Sequence, residues 1–142
     1  MSERRSPATR NDASRAPGTN DVGVAGTVSG PSGSPLLTVT LRTEPAPDRG
    51  RPDLLVVAAA GEVDLDTAAL LEAALVDAVG RRPRVCCDLS DVTFLSAAGV
   101  TALMAAHVRA IETGCQLTLR GAHGNARRVL SVTGVERLLG GR

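Results

Sequence analysis

Leu54 to Ala60 reads Leu-Leu-Val-Val-Ala-Ala-Ala, an apolar run with no polar side chain in it. Successive residues of a strand face opposite ways, so a strand of this composition must be covered on both faces. A turn-rich connection holding Pro45, Pro47, Asp48, Gly50 and Pro52 precedes the run, and Gly61 closes it. Val85-Cys86-Cys87-Asp88-Leu89 is a second short block of β-branched and small apolar residues, again suited to an internal strand. Two strands of this kind commit the chain to a layered fold with helices packed on a sheet.

The intervening segments supply the helices. Asp66 or Thr67 can cap a helix whose buried stripe is Leu70, Leu71, Ala74, Leu75, Ala78 and Val79. Gly80 stops it and Pro83 prevents its return. After the second internal strand, Ser90 to Leu95 reads as a tight turn, and Ser96 stands at the N-cap of the next helix. Val100, Leu103, Met104, Val108 and Ile111 mark that helix's inward face, and Gly114 ends it. Leu36 to Arg42 alternates as a first, edge strand, and Gln116 to Arg120 as a fourth. Asn125 to Thr133 forms a last helix that buries Ala126, Val129 and Leu130, with one more apolar turn or the start of a strand at Val135 to Leu139.

The predicted order is β–β–α–β–α–β–α. It implies a single α/β domain over residues 35–142, with a mainly parallel mixed sheet and an antiparallel N-terminal edge. Residues 1–34 are polar and rich in Gly, Ser, Pro and Arg. They carry too little apolar surface to offset ordering entropy and read as a disordered tail.

Composition narrows the function. The 142 residues hold 16 basic against 15 acidic side chains, so the one-sided basic field of a nucleic-acid binder is missing. Phe94 is the only aromatic residue, which removes stacking platforms and cation cages. No apolar run approaches the roughly 20 residues of a membrane span, and no secretory leader opens the chain. The expectation is a cytoplasmic protein without membrane insertion. Cys86, Cys87 and Cys115 fit reduced packing residues better than a disulfide or a zinc site.

Catalytic patterns are absent as well. The chain has no Lys and no phosphate-binding Gly-rich loop followed by Lys-Ser/Thr. Ser96 and His107 lie on one helix about 16 Å apart along its axis, too far for a nucleophile–base pair. Glu62, Asp64 and Asp66 alternate at a strand end, where they solubilise a loop and favour the following helix N-terminus rather than hold a metal. No catalytic residue, metal or cofactor is expected. The carboxyl end of the strands, beside the Ser96 turn, remains the natural place for a binding surface.

One set of residues resembles a known family. Gly61-Glu62-Val63-Asp64, Asp88 through Val100, Gly114-Cys115-Gln116-Leu117, Arg127-Arg128-Val129-Leu130 and Thr133-Gly134-Val135 look like a STAS domain, and among these like the bacterial anti-sigma factor antagonists. The match runs in order from Leu36 to Leu139. It implies a sheet with helices on one side, no catalysis, and a serine-kinase anti-sigma factor as the partner, whose capture frees a sigma factor for transcription. The implied partner-binding residues are Glu62, Asp64, Thr67, Phe94, Leu95, Ser96, Ala97, Ala98, Gly99 and Val100. Phe94 and Leu95 would position the turn by packing, and Ala97, Ala98 and Gly99 would permit close approach.

In that family the turn usually reads Asp-Ser-Ser/Thr-Gly, and the kinase phosphorylates the first Ser to switch binding off. Here Ser96 stands at the Asp position and Ala97 at the phosphorylated one. Alanine has no hydroxyl, so either the switch is missing or Ser96 takes the phosphate one position earlier. An alternative role under the same resemblance is a non-switching scaffold or sensor subunit that binds other STAS proteins.

Overall fold

The computed structural model describes residues 22–139. Strands β1 (Val22–Ser29), β2 (Pro35–Glu44) and β3 (Leu54–Val63) come first, followed by helix α1 (Ala68–Arg81), β4 (Arg84–Leu95) and α2 (Ala97–Thr113). Strand β5 (Gln116–Arg120), helix α3 (Gly124–Thr133) and the short helix α4 (Val135–Leu138) complete the chain order. The strands lie across one sheet in sequence order. The first two pairings are antiparallel and the last two parallel. Because β4 and β5 are added in the same direction, right-handed crossovers carry α1 and α2 to one face. There the two helices pack against each other.

Register decides which side chains meet them. Val39 pairs with Ala59, Leu55 with Val85, Val57 with Cys87, and these continue to Leu117 and Leu119 of β5. All of these residues belong to the core beneath the helices. Helix α1 contributes Leu71, Leu75, Ala78 and Val79, as its spacing predicts. Helix α2 is turned from the predicted face: Gly99, Ala102, Leu103, Ala106 and Ala110 are inside, while Val108 and Ile111 are exposed. Small side chains let α2 approach the sheet closely, so the alanines, not the larger β-branched residues, mark the inward stripe.

Two further expectations are corrected. Residues 22–34 are not a tail: Val22–Ser29 pairs with β2, and Gly30–Ser34 is the connecting turn. Gly23, Ala25 and Gly26 hide the alternation, because this edge strand is held by backbone hydrogen bonds more than by buried side chains. A Cβ at Gly26 would meet the end of the Leu70 side chain of α1, so glycine leaves that side chain its room. The expected tail over residues 1–21 lies outside the described residues. Ser90–Leu95, read as a turn, continues β4. Two register shifts against β3 insert extra residues between Asp88 and Phe94. They rephase the strand so that Leu89, Val92 and Leu95, spaced three apart, all point into the core.

The helix-free face is closed by charge. Val56 and Cys86 are neighbours on it and only 0% and 3% exposed. Arg42, cross-strand from Val56, donates to Glu44 at 3.1 Å and to Asp88 at 3.4 Å. Arg120, cross-strand from Asp88, grips Glu44 through two bonds of 2.6 and 3.1 Å and reaches Asp88 at 3.4 Å. The arginine stems are placed to cover the apolar pair while their heads meet the carboxylates. Ser90 adds a backbone bond of 2.9 Å and a hydroxyl bond of 2.6 Å to Asp88 Oδ1. Burial also pushes the Cys86 and Cys87 thiols up, so both stay protonated and serve as packing groups.

The hydrogen bond from Arg120 holds Glu44 below its ordinary value of 4.5, outweighing its desolvation. Burial pulls Asp88 upward, but the Ser90 bonds and Arg120 outweigh it and leave Asp88 below its ordinary 3.8. Depressed folded values mean that these carboxylates stabilise the fold above the ordinary values and cease to do so as pH falls through the folded ones. Denaturant midpoints are therefore expected to fall below about pH 4. The deficit of Glu44→Gln relative to the parent should be largest at neutral pH and vanish in acid; a deficit independent of pH would contradict the pairing.

Candidate functional site

The carboxyl ends of β3 and β4 bring the two loops together. Val63 pairs with Leu95, and the Ser96 N–H donates to Val63 O at 2.9 Å, so the loops leave the sheet side by side. The first is a tight turn from Asp64 to Thr67. The Asp64 carbonyl accepts the N–H groups of Thr67 and Ala68, and its carboxylate accepts from Asp66 N at 3.0 Å. Thr67 is fully buried: its hydroxyl accepts from Asp64 N at 2.9 Å and donates to Glu62 O at 2.7 Å. It occupies the N-cap position of α1 without a side-chain cap, because the hydroxyl turns back to the strand. Thr67 thus shapes the loop and offers no surface to a partner.

The second loop is the start of α2. Ser96 is extended and its hydroxyl accepts from Ala98 N at 3.1 Å, the predicted N-cap. Leu95 is completely buried and anchors the turn, whereas Phe94 points outward at 43% exposed and is free for contact. Gly99 is buried, and a Cβ on it would collide with Leu95 and Val63. Its small size therefore serves the docking of α2 on its own sheet. Ala97 is exposed, and Ala98, Val100, Ser96 and Asp64 are half-buried. Glu62 is exposed and pairs in register with Phe94.

Glu62, Asp64, Phe94, Ser96, Ala97, Ala98 and Val100 thus make up the accessible surface of the paired loops, while Thr67, Leu95 and Gly99 are buried. Leu65, 84% exposed at the tip of the first turn, joins this surface and was not singled out from the sequence. Its signal is an apolar side chain standing between two aspartates, outside any helical or strand period. Among the described residues no group of His, Cys, Asp or Glu is arranged to hold a metal ion, and no helix is long and apolar enough to cross a membrane.

A latch from α3 holds the second loop. Beyond Asp88, strand β4 has no strand partner on its β5 side, because β5 ends at Arg120. The α3 segment fills that edge: Asn125 Oδ1 accepts the Leu95 N–H at 2.7 Å, and the His123 ring donates through Nε2 to Ser90 O at 2.8 Å. Gly121, with φ of 79°, packs against Ser90 where a Cβ would collide. These contacts were not legible from spacing, since they join residues about thirty apart in the chain.

Comparison with known proteins adds to this geometry. A family model described as Mlab, STAS domain, matches residues 48–140. The fold is similar to an anti-sigma factor antagonist from Mycobacterium paratuberculosis, with a TM-score of 0.61 and 25% identity over 80% of this chain and 89% of that one. It is also similar to the anti-sigma factor antagonist SpoIIAA in its unphosphorylated form, with a TM-score of 0.55 and 12% identity over 72% and 87% of the two chains. The murine anion transporter Slc26a9 shares the fold over 61% of this chain and 15% of its own, with a TM-score of 0.52 and 18% identity. No curated protein matches by sequence search.

The latch makes the site's dependence on α3 measurable. Asn125→Ala leaves the Leu95 N–H buried without an acceptor and should cost about 1–3 kcal/mol in urea unfolding. Asn125→Asp keeps an oxygen at that position and should recover most of the loss. Equal losses in the two variants would show that Asn125 acts through packing alone.

Proposed function

The chain belongs to the STAS domain family, and from that premise we propose that it is an anti-sigma factor antagonist without a phosphorylation switch. It binds a serine-kinase anti-sigma factor through the paired loops at the carboxyl ends of β3 and β4, and so regulates transcription that depends on a sigma factor. The likeness to the mycobacterial antagonist, at 25% identity over most of both chains, supports this class of partner. Glu62 and Asp64 supply polar contacts, Phe94 and Leu65 apolar ones, and the exposed Ala97 sits where α2 begins.

The observation that carries the reading is Ala97. It lies exposed at the first position of α2, where a phosphate would add close to two negative charges to an interface and break it by repulsion and desolvation. Alanine cannot accept one. The neighbouring Ser96 hydroxyl is engaged with the Ala98 N–H as the helix cap. The protein keeps the shape for binding and lacks the group that would turn binding off.

Substitution at the centre of this surface tests the reading. Ala97→Glu is expected to weaken the complex with the anti-sigma factor from the same genome by at least about ten-fold, or 1.4 kcal/mol. Surface plasmon resonance on the purified pair measures it. Unchanged affinity would remove the α2 turn from the interface.

A further inference from the structure

Helix α2 carries two apolar faces. Gly99, Ala102, Leu103, Ala106 and Ala110 make the buried one. The spacing that predicts an inward face over Val100, Met104, Val108 and Ile111 is also present, but the fold turns that stripe away from the sheet. Val108 and Ile111 are 51% and 67% exposed, Ala97 is exposed, and Val100 and Met104 are half-buried. At 3.6 residues per turn these five lie within one sector about 80° wide.

Neither α1 nor charge occupies the stripe. The Thr113 hydroxyl donates to Val79 O of α1 at 2.9 Å, and Ile111, two residues earlier, points about 160° away around the helix. The flank that carries Ile111 is therefore the one turned from α1. Arg109 and Glu112 are the only charged residues of α2, and they pair with each other at 3.3 Å outside the apolar sector.

The stripe is also symmetric in spacing. From Ala97 the steps to Val100, Met104, Val108 and Ile111 are three, four, four and three residues, with Met104 at the centre. Laid antiparallel on a second α2, with Met104 at the two-fold axis, Ala97 faces Ile111 and Val100 faces Val108. A small side chain then meets a bulky one at each end. Arg109 and Glu112 fall opposite Gly99 and Ser96, so no like charges meet.

We infer that α2 pairs antiparallel with α2 of a second copy of this chain, through Ala97, Val100, Met104, Val108 and Ile111, to form a two-fold dimer. A two-fold contact requires one patch to complement itself, and the symmetric spacing meets that requirement. An unrelated partner would impose no symmetry on the stripe. The stripe is about 21 Å long, at the small end of stable interfaces, so the dimer is reversible and forms at micromolar concentrations. Under the anti-sigma reading, on which this clause alone rests, Ala97 and Val100 belong to both surfaces, so the dimer and the complex exclude each other.

Sedimentation equilibrium of the full chain, with no partner present, tests the pairing. A monomer–dimer equilibrium is expected in the micromolar range. Ile111→Glu and Val108→Glu should each weaken the dimer about ten-fold or more, because each sets a charge in an apolar contact. Ala73→Glu, at an exposed position of α1, should leave it unchanged. Adding Ala97→Arg to Ile111→Glu should restore most of the loss through a charge pair. Those positions are about 21 Å apart along one helix, so only a second copy brings them together. Circular-dichroism melts check that each variant is folded. A monomer at every concentration, its stripe bare or covered by residues 1–21 of the same chain, would overturn the proposal. So would a dimer that tolerates Ile111→Glu, or one that Ala97→Arg fails to restore. None of these outcomes bears on the anti-sigma complex, which is tested separately.

Discussion

Strands β3 and β4 must be buried on both faces, while the crossover topology supplies helices to only one. The rest of the structure follows from how that imbalance is resolved. On one face α1 and α2 cover Leu55, Val57, Val85 and Cys87 with leucine, valine and alanine side chains. On the other, Val56 and Cys86 are shut off from water by neighbouring strands and by the Arg42–Glu44–Asp88–Arg120 lattice. Exposed ion pairs contribute little individually, about 0–1 kcal/mol. Here four charges share partners across β2, β4 and β5, and the arginine stems cover apolar surface that would otherwise meet solvent.

The same lattice has a geometric consequence at the other end of β4. Ser90 is tied to Asp88 within the first of the two register shifts, which together turn Val92 and Leu95 into the core and leave Phe94 outside. Leu95 then sits under α2, touching the space that only a glycine at position 99 leaves free. The exposed Ala97 turn is therefore set by buried neighbours on both sides, with Asn125 accepting the Leu95 N–H.

Much of this was legible in the sequence. The apolar runs of β3 and β4, the stripe of α1 and the Ser96 cap all express short-range rules of period and capping, and the structure has them where spacing places them. What escaped reading depends on partners distant in the chain. Strand β1 has too few apolar side chains to show a period and exists because β2 offers it an edge. The inward face of α2 is decided by close approach to the sheet, which favours Ala102 and Ala106 over Val108 and Ile111. At the paired loops the Ser96 cap was visible in the sequence, but the burial of Thr67 and Gly99 was not. Their hydrogen bonds and clearances involve strands that only the folded chain brings near.

The proposal is a binding turn that a serine-kinase anti-sigma factor cannot switch. The direct measurement is the stability of the complex with the serine-kinase anti-sigma factor as ATP is added, with intact mass read in parallel for the parent chain and for Ala97→Ser. The account predicts that the parent complex persists and gains no phosphate, while Ala97→Ser gains one phosphate and dissociates. A parent chain that acquires a phosphate on Ser96 and leaves the complex would contradict it.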